Sequence, residues 1–326
     1  MKQTFRMGLR ALALAATFAG VSAAMAQDDY PNKPISVVVP YSPGGSTDTA
    51  ARVIIPAIAE RLGQPMAIQN RPGSAGNIGV GEVAAADPDG YTLVITVNPP
   101  VSLNKFVFSG LTYDPETDLA PISIVAKTLM VLVAHPDFAP NTVSEYVEYA
   151  REHPGKVRFG SSGIGSAMHI AGAVINKEED INLVHVPYKG GGPTMQDLVG
   201  GHIESAFATL PSAMPHLEAK ALKLIALAES ERYDKMPDLP TVAETVPGVG
   251  MTTWLGILAP AGTPKEIIDR VNEATLDALK DEKVLEGLEN SGLVPVGSSP
   301  EEFAELIKSD LAKFEVLLPE IGIQPQ

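Results

Sequence analysis

Cysteine is absent from all 326 residues. Thiolate-built zinc and iron–sulfur sites are therefore excluded, and without disulfides the fold must rest on its core alone. Histidine is sparse: the six, His135, His153, His169, His185, His202 and His216, never form a His-Glu-x-x-His pair, so the sequence offers no metal motif and no cofactor. Basic residues are scarce too, 24 Lys and Arg against 39 Asp and Glu, which argues against nucleic acid and anionic membranes as partners. No apolar run is long enough for a membrane span. The nearest candidate, residues 11–21, lies behind Lys2, Arg6 and Arg10 and ahead of Ala24-Met25-Ala26, the pattern of an export signal cleaved near Ala26. Those 26 residues hold three basic and no acidic side chains, so the remaining 300 residues carry 21 basic against 39 acidic, a formal charge of −18. No internal repeat and no low-complexity linker is visible.

What the chain does have is alternation. Strand-like runs at 35–39, 92–97, 130–134, 156–160, 183–186, 203–208, 222–227 and 254–259 interleave with helical patterns at 78–86, 143–152, 166–176, 193–199, 211–219, 264–281 and 300–318. This predicts an α/β fold of parallel βαβ units, in which ligands collect at the C-terminal ends of strands. Between the first strand and a helix ending at Gly63 lies Pro40-Tyr41-Ser42-Pro43-Gly44-Gly45-Ser46-Thr47-Asp48. Two glycines at a strand-to-helix turn expose backbone N–H groups at the positive helix end, a site for carboxylates or phosphates. The acidic surface opposes anion capture globally, but oriented amides act within a few ångströms, whereas surface charges are screened beyond about 8–10 Å.

Three further turns share this character. Asn70-Arg71-Pro72-Gly73-Ser74-Ala75-Gly76 reads equally as a second donor set or as a steep turn. Gly160-Ser161-Ser162-Gly163-Ile164-Gly165-Ser166 leads into a helix bearing His169. It misses the Gly-x-Ser-x-Gly elbow because Ile164 occupies the last glycine position, so a serine hydrolase is disfavoured. Val186-Pro187-Tyr188-Lys189-Gly190-Gly191-Gly192 lacks the Gly-Lys-Ser/Thr ending of a Walker loop. There Tyr188 can close a pocket and offer a hydroxyl, and Lys189 can face an anion or simply solvent. Trp254, the single tryptophan, reads as core.

These stretches, with Tyr30-Pro31-Asn32-Lys33-Pro34-Ile35, Ala86-Asp87-Pro88-Asp89-Gly90-Tyr91, Tyr113-Asp114-Pro115, Pro240-Thr241, Trp254-Leu255-Gly256 and Ala259-Pro260-Ala261-Gly262-Thr263-Pro264, occur in the order seen in the substrate-binding proteins of tripartite tricarboxylate transporters. The chain closely resembles that family, also called the Bug family, over nearly its whole length. The resemblance implies a two-lobed periplasmic binding protein of type II-like fold, each lobe a mainly parallel sheet flanked by helices with the ligand cleft between them. It places lobe 1 at 27–128 and 254–326 and lobe 2 at 129–253. It implies a monomer that performs no chemistry, binds a small organic carboxylate and meets inner-membrane permease subunits; a sensor output from the same fold is the alternative. Carried over by position, ligand contacts fall on Tyr41, Ser42, Gly44, Gly45, Ser46, Thr47, Asp48, Gly76 and Asn98 in lobe 1. In lobe 2 they fall on Ser162, Gly165, Ser166, His169, Tyr188, Lys189, Gly190, Gly191 and Glu204. Two departures stand out: Glu204 replaces a frequent Asp, and Ala208-Thr209 replaces an Asp-Asn, removing a charge expected near the cleft rim.

Overall fold

The structure, a computed structural model, describes residues 30–188, 190–250 and 252–325. The predicted export signal, its cleavage point and Lys189 lie outside them. Two sheets organise the chain. The first has the order β11-β4-β10-β3-β1-β2, from β1 (Ile35–Val39), β2 (Met66–Asn70), β3 (Thr92–Val97), β4 (Leu119–Thr128), β10 (Thr253–Pro260) and β11 (Leu293–Pro295). The second has the order β7-β6-β8-β5-β9, from β5 (Met130–Ala134), β6 (Arg158–Ser161), β7 (Val184–Pro187), β8 (Ser205–Thr209) and β9 (Lys223–Leu227).

Ile-Ser-Val-Val-Val forms β1 because it is buried by parallel neighbours on both sides: Val37 pairs with Ile68 of β2 and Leu93 of β3. The sheets are nonetheless mixed. Strand β10 runs antiparallel between β3 and β4, β11 runs antiparallel to β4, and β5 runs antiparallel to both β8 and β9. These reversals arise where the chain leaves the first sheet through Leu129 and later returns to it as β10. The sequence pattern shows neither β4 nor β11. Strand β4 carries Pro121 beside a register shift against β10, and β11 has only three residues ending in Pro295.

The helices are α1 (Ser46–Leu62), α2 (Asn77–Ala84), α3 (Asn104–Val107), α4 (Val143–Glu152) and α5 (Ala167–Glu179), followed by α6 (Gly191–Val199), α7 (Leu210–Glu218), α8 (Lys265–Ala278), α9 (Glu282–Asn290) and α10 (Pro300–Glu320). Helix α1 is continuous across Pro56 and stops at Gly63, whose φ of 73° and N–H bonds to Ala59 and Glu60 carbonyls make the left-handed cap. Helix α10 starts in a Ser299–Glu302 capping box and serves both cores. Phe303, Ile307 and Leu311 pack with Trp254 over the first sheet, while Phe314 and Leu318 join the core of the second. Trp254 is core: it is 1 % exposed and meets the Phe303 ring edge-on at 4.9 Å.

Candidate functional site

The four turns all follow the C-terminal ends of strands, and packing draws them together in pairs. In the first turn Asp48, only 2 % exposed, turns its carboxylate inward. It accepts from Gly44 N at 2.8 Å, Arg52 Nε at 2.8 Å, Arg52 Nη2 at 3.0 Å and Asn70 Nδ2 at 2.9 Å. The Arg52 hydrogen bond, ahead of those from Gly44 and Asn70, outweighs burial and holds the Asp48 pKa down to about 2. Two expected contacts are thereby corrected. Asp48 braces the turn from within, and the Gly44 amide is committed to it. Gly45 N lies 3.4 Å from Ser42 O, and Thr49 N closes the first helical bond onto Gly45 O. Helix α1 has no side-chain cap, so its free donors are the first-turn amides that begin at Ser46 and Thr47.

Asn70 joins this turn to the second, since its Nδ2 also donates to Tyr41 O at 3.0 Å. There Gly73, Ser74, Ala75 and Gly76 have φ of 140°, 47°, 52° and 95°, four consecutive residues on the left-handed side. Two of them are not glycine, which is strain of the kind held at ligand sites. A buried brace keeps it in place: Asn104 Nδ2 donates to Ala75 O at 3.3 Å and Asn77 Oδ1 at 2.6 Å, and Tyr113 donates to Pro100 O at 2.6 Å. Gly76 then sits so close to Tyr41 and Pro100 that a Cβ would lie 3.0 Å from the Tyr41 hydroxyl and 2.8 Å from Pro100 Cγ. Tyr41 is half-buried, and burial raises its pKa, so it is a neutral hydroxyl. Asn98, just past β3, is buried beside the same segment.

In the second sheet the turn after β6 is largely self-satisfied. Ser166 caps α5: its Oγ accepts from His169 N at 3.2 Å and donates to Gly163 O at 2.8 Å. Gly165 N donates to His169 Nδ1 at 3.1 Å. The expectation that Ser166 and Gly165 offer free donors is corrected, because both groups hold the turn's own shape. That bond leaves His169 Nε2 to carry the proton while the ring is neutral. The His169 ring stacks on His185 at 3.9 Å, and His185 stacks on Phe159 at 5.0 Å. His185 Nε2 lies 2.7 Å from Ser161 Oγ. Burial, then the neighbouring His169, lowers the His185 pKa to about 4.

The fourth turn is pinned to the third, with Tyr188 N on Ser161 O at 3.0 Å and Gly190 N on Ser162 O at 3.2 Å. Tyr188 does not present a free hydroxyl: it donates to Asp197 at 2.7 Å, and burial ahead of that carboxylate pushes its pKa up to about 12. Gly191 packs against Ser212, whose hydroxyl accepts from Thr209 Oγ1 at 3.0 Å. Ser212, which sequence reading did not single out, also donates to Thr209 O at 2.8 Å, so it and Thr209, named in the sequence as the place of a lost charge, satisfy each other. Glu204 is the clear correction. It precedes β8, at the edge opposite these turns, and its carboxylate takes Arg158 N at 2.8 Å, Nε at 3.0 Å and Nη2 at 2.5 Å. A five-residue strand spans about 16 Å, so Glu204 cannot serve the turn that follows β8 or its neighbours.

Helices α1, α2, α6 and α7 all begin at this edge without a side-chain cap. Helices α4, α9 and α10, elsewhere, are capped by Thr142, Asp281 and Ser299. Helix α8 also starts uncapped, at Pro264. Two bare positive helix ends at the strand ends of each sheet suit an anion. The turn after β6 approaches α3 here, since a Cβ on Gly165 would lie 3.4 Å from Val107. Two grooves, about 400 Å³ beside Lys105 and Leu311 and about 530 Å³ beside Met214 and Glu289, lie away from these turns. Among the described residues no group of His, Asp and Glu could hold a metal, and no helix is long and apolar enough to cross a membrane.

Residues 50–323 match the model of the tripartite tricarboxylate transporter family receptor. The chain is 31% identical over 306 residues to the protein BugT of Bordetella pertussis, covering 93% of this chain and 94% of that one. Among solved structures it is similar to R. palustris Rpa4515 with adipate, at 32% identity and TM-score 0.78, covering 91% and 100% of the two chains. It is also similar to MatC from Rhodopseudomonas palustris with bound malate, at 31% identity and TM-score 0.73, covering 89% and 100%.

Proposed function

The chain belongs to the tripartite tricarboxylate transporter receptor family, and from that premise we propose that it is a periplasmic solute-binding protein that captures a small dicarboxylate or related organic acid and delivers it to a tripartite tricarboxylate-type permease in the inner membrane. The lobes in this reading are 27–128 with 254–326, and 129–253, closing as a monomer around the ligand. What supports it is that α1 and α2, after strands of the first sheet, and α6 and α7, after strands of the second, all start without a side-chain cap. Relatives solved with adipate and with malate support the ligand class.

One carboxylate is held by the first-turn amides at Ser46 and Thr47, with Ser42, the Tyr41 hydroxyl and Gly76 beside it. The far end meets Ser162, His169 Nε2 and the Gly191 amide. Hydrogen bonds to a charged group contribute about 1.5–3 kcal/mol each, so several suffice for the roughly 8 kcal/mol of micromolar binding without a buried arginine. The test is a thermal-shift screen of the exported protein against aliphatic and aromatic mono-, di- and tricarboxylates. A ligand at a hundred times its Kd should add about 2.7 kcal/mol to stability. A screen in which sugars or amines raise Tm and no carboxylate does would overturn the reading.

A further inference from the structure

The chain passes between the two sheets where β4 hands over to β5, and again where Gly250 and Thr252 lead into β10. The antiparallel ladder of β4 and β10 reaches this point and ends on the pair Thr128–Thr253. Beyond it the two crossings part, and Met130 pairs with Thr209 of β8 instead. Glu229 stands in the gap. It lies two residues past the end of β9, is 4 % exposed, and spans both crossings with one carboxylate. Oε1 accepts from Met130 N at 2.7 Å, and Oε2 accepts from Thr252 Oγ1 at 2.7 Å. A buried carboxylate is costly to desolvate, and these two short charge-assisted bonds offset that cost. Helix α10 grips the returning crossing on either side of Thr252. Lys313 Nζ donates to Gly250 O at 2.6 Å, and the Asp310 carboxylate accepts from Trp254 Nε1 at 2.8 Å.

We propose that Glu229 is a positioning residue for ligand capture: its carboxylate is a side-chain rung that ties the two crossings together at the hinge, so that they bend as one. This rests on the two-lobed reading above. Up to Thr128 and Thr253 the backbone ladder fixes the two strands against each other. Past that pair the rung does so, through one backbone N–H on the outgoing crossing and one hydroxyl on the returning crossing. Without it each crossing twists separately, and the lobes sample more relative orientations. The orientation in which the turns of both sheets face one ligand is then a smaller fraction of the whole, and apparent affinity falls by that fraction. Glu229 itself belongs to none of the four turns.

The chain has no cysteine, so two introduced thiols are the only ones it carries. Spin labels at Ala85→Cys, at the end of α2, and Gln196→Cys, on α6, both exposed, report the distance between lobes by double electron–electron resonance in the exported protein without ligand. The labelled parent should give one narrow distribution, and Glu229→Ala and Thr252→Val should each broaden it about twofold. Thr252→Val keeps the backbone carbonyl that Asn98 Nδ2 reaches and removes only the hydroxyl. Glu229→Gln still reaches both groups, since the Thr252 hydroxyl can accept from its NH2 group, and should lie between the parent and Glu229→Ala. The double variant should be no broader than Glu229→Ala, because both changes remove one rung. In isothermal titration, adipate and malate should each bind Glu229→Ala about tenfold more weakly and by the same factor, no ligand contact having changed. If Glu229→Ala does not fold, Thr252→Val decides. Unchanged widths in both single variants, or broadening in Glu229→Ala alone, overturn the rung and leave carboxylate capture standing. Broadened widths with unchanged affinity overturn its part in capture. Failure of every carboxylate to bind the parent overturns the receptor reading, while the widths still decide the rung.

Discussion

Asp48 is a carboxylate inside a turn proposed to hold an anion, and its geometry explains how the two would coexist. Arg52, Gly44 and Asn70 enclose it, so its charge is spent within the turn rather than presented to a ligand. His185 is its counterpart across the site, a ring kept neutral between Phe159 and His169. The two groups set different acid limits. His185 takes up its proton near 6.5 when unfolded and near 4 when folded, so its contribution is complete above about pH 6.5 and is lost as pH falls towards 4. Asp48 contributes fully above its ordinary value of 3.8 and loses that contribution as pH falls towards 2. Tm measured against pH should therefore descend in two limbs, His185→Phe flattening the upper and Asp48→Asn the lower. An upper limb unchanged in His185→Phe would contradict this account.

At the scale of elements, the left-handed run from Gly73 to Gly76 is the most constrained piece of backbone at the site. Gly76→Ala places a Cβ at φ 95° against Pro100 and Tyr41. It should lower stability by about 1–3 kcal/mol and weaken ligand binding by roughly tenfold or more, read by chemical denaturation and titration. Ala75→Gly, which relieves a left-handed residue in the same turn, should leave stability unchanged or raised. Equal losses from both would mean that the turn's conformation is not what matters. The alternating pattern placed β1, β3, β5 and α4 at their observed bounds. It missed α9, which follows α8 after a short break, and β4, whose bulge at Pro121 interrupts the strand signal.

For the whole molecule, an acidic chain binding an anion makes a distinct prediction about salt. Short amide contacts are poorly screened, while the repulsion from a chain of formal charge −15 is screened within about 8–10 Å. Ligand affinity measured by titration should hold or rise from low to high ionic strength. A steep fall would point to a site lined by Lys or Arg, Lys189 first among them. The same scale holds α10, whose Phe303 and Phe314 sit in different cores, so the two sheets share one helix as well as two crossings.

Composition, the alternation of strands and helices and the four glycine-rich turns were all legible in the sequence, because each is a local property of consecutive residues. So was the family, from the order of its motifs. What the sequence left open was which polar groups in those turns remain free. Gly44, Gly165, Ser166 and Tyr188 read as donors and are committed to neighbours, Glu204 reads as a ligand contact and sits at the opposite edge, and Ser212 arrives unannounced. Most of these partners lie three or four residues away and depend on the turn's backbone conformation, whereas the Glu204–Arg158 contact spans 46 residues and depends on β6 packing beside β8. The Glu229 carboxylate belongs with that contact: its partners Met130 and Thr252 lie 99 and 23 residues away and meet it only where the chain crosses between the sheets.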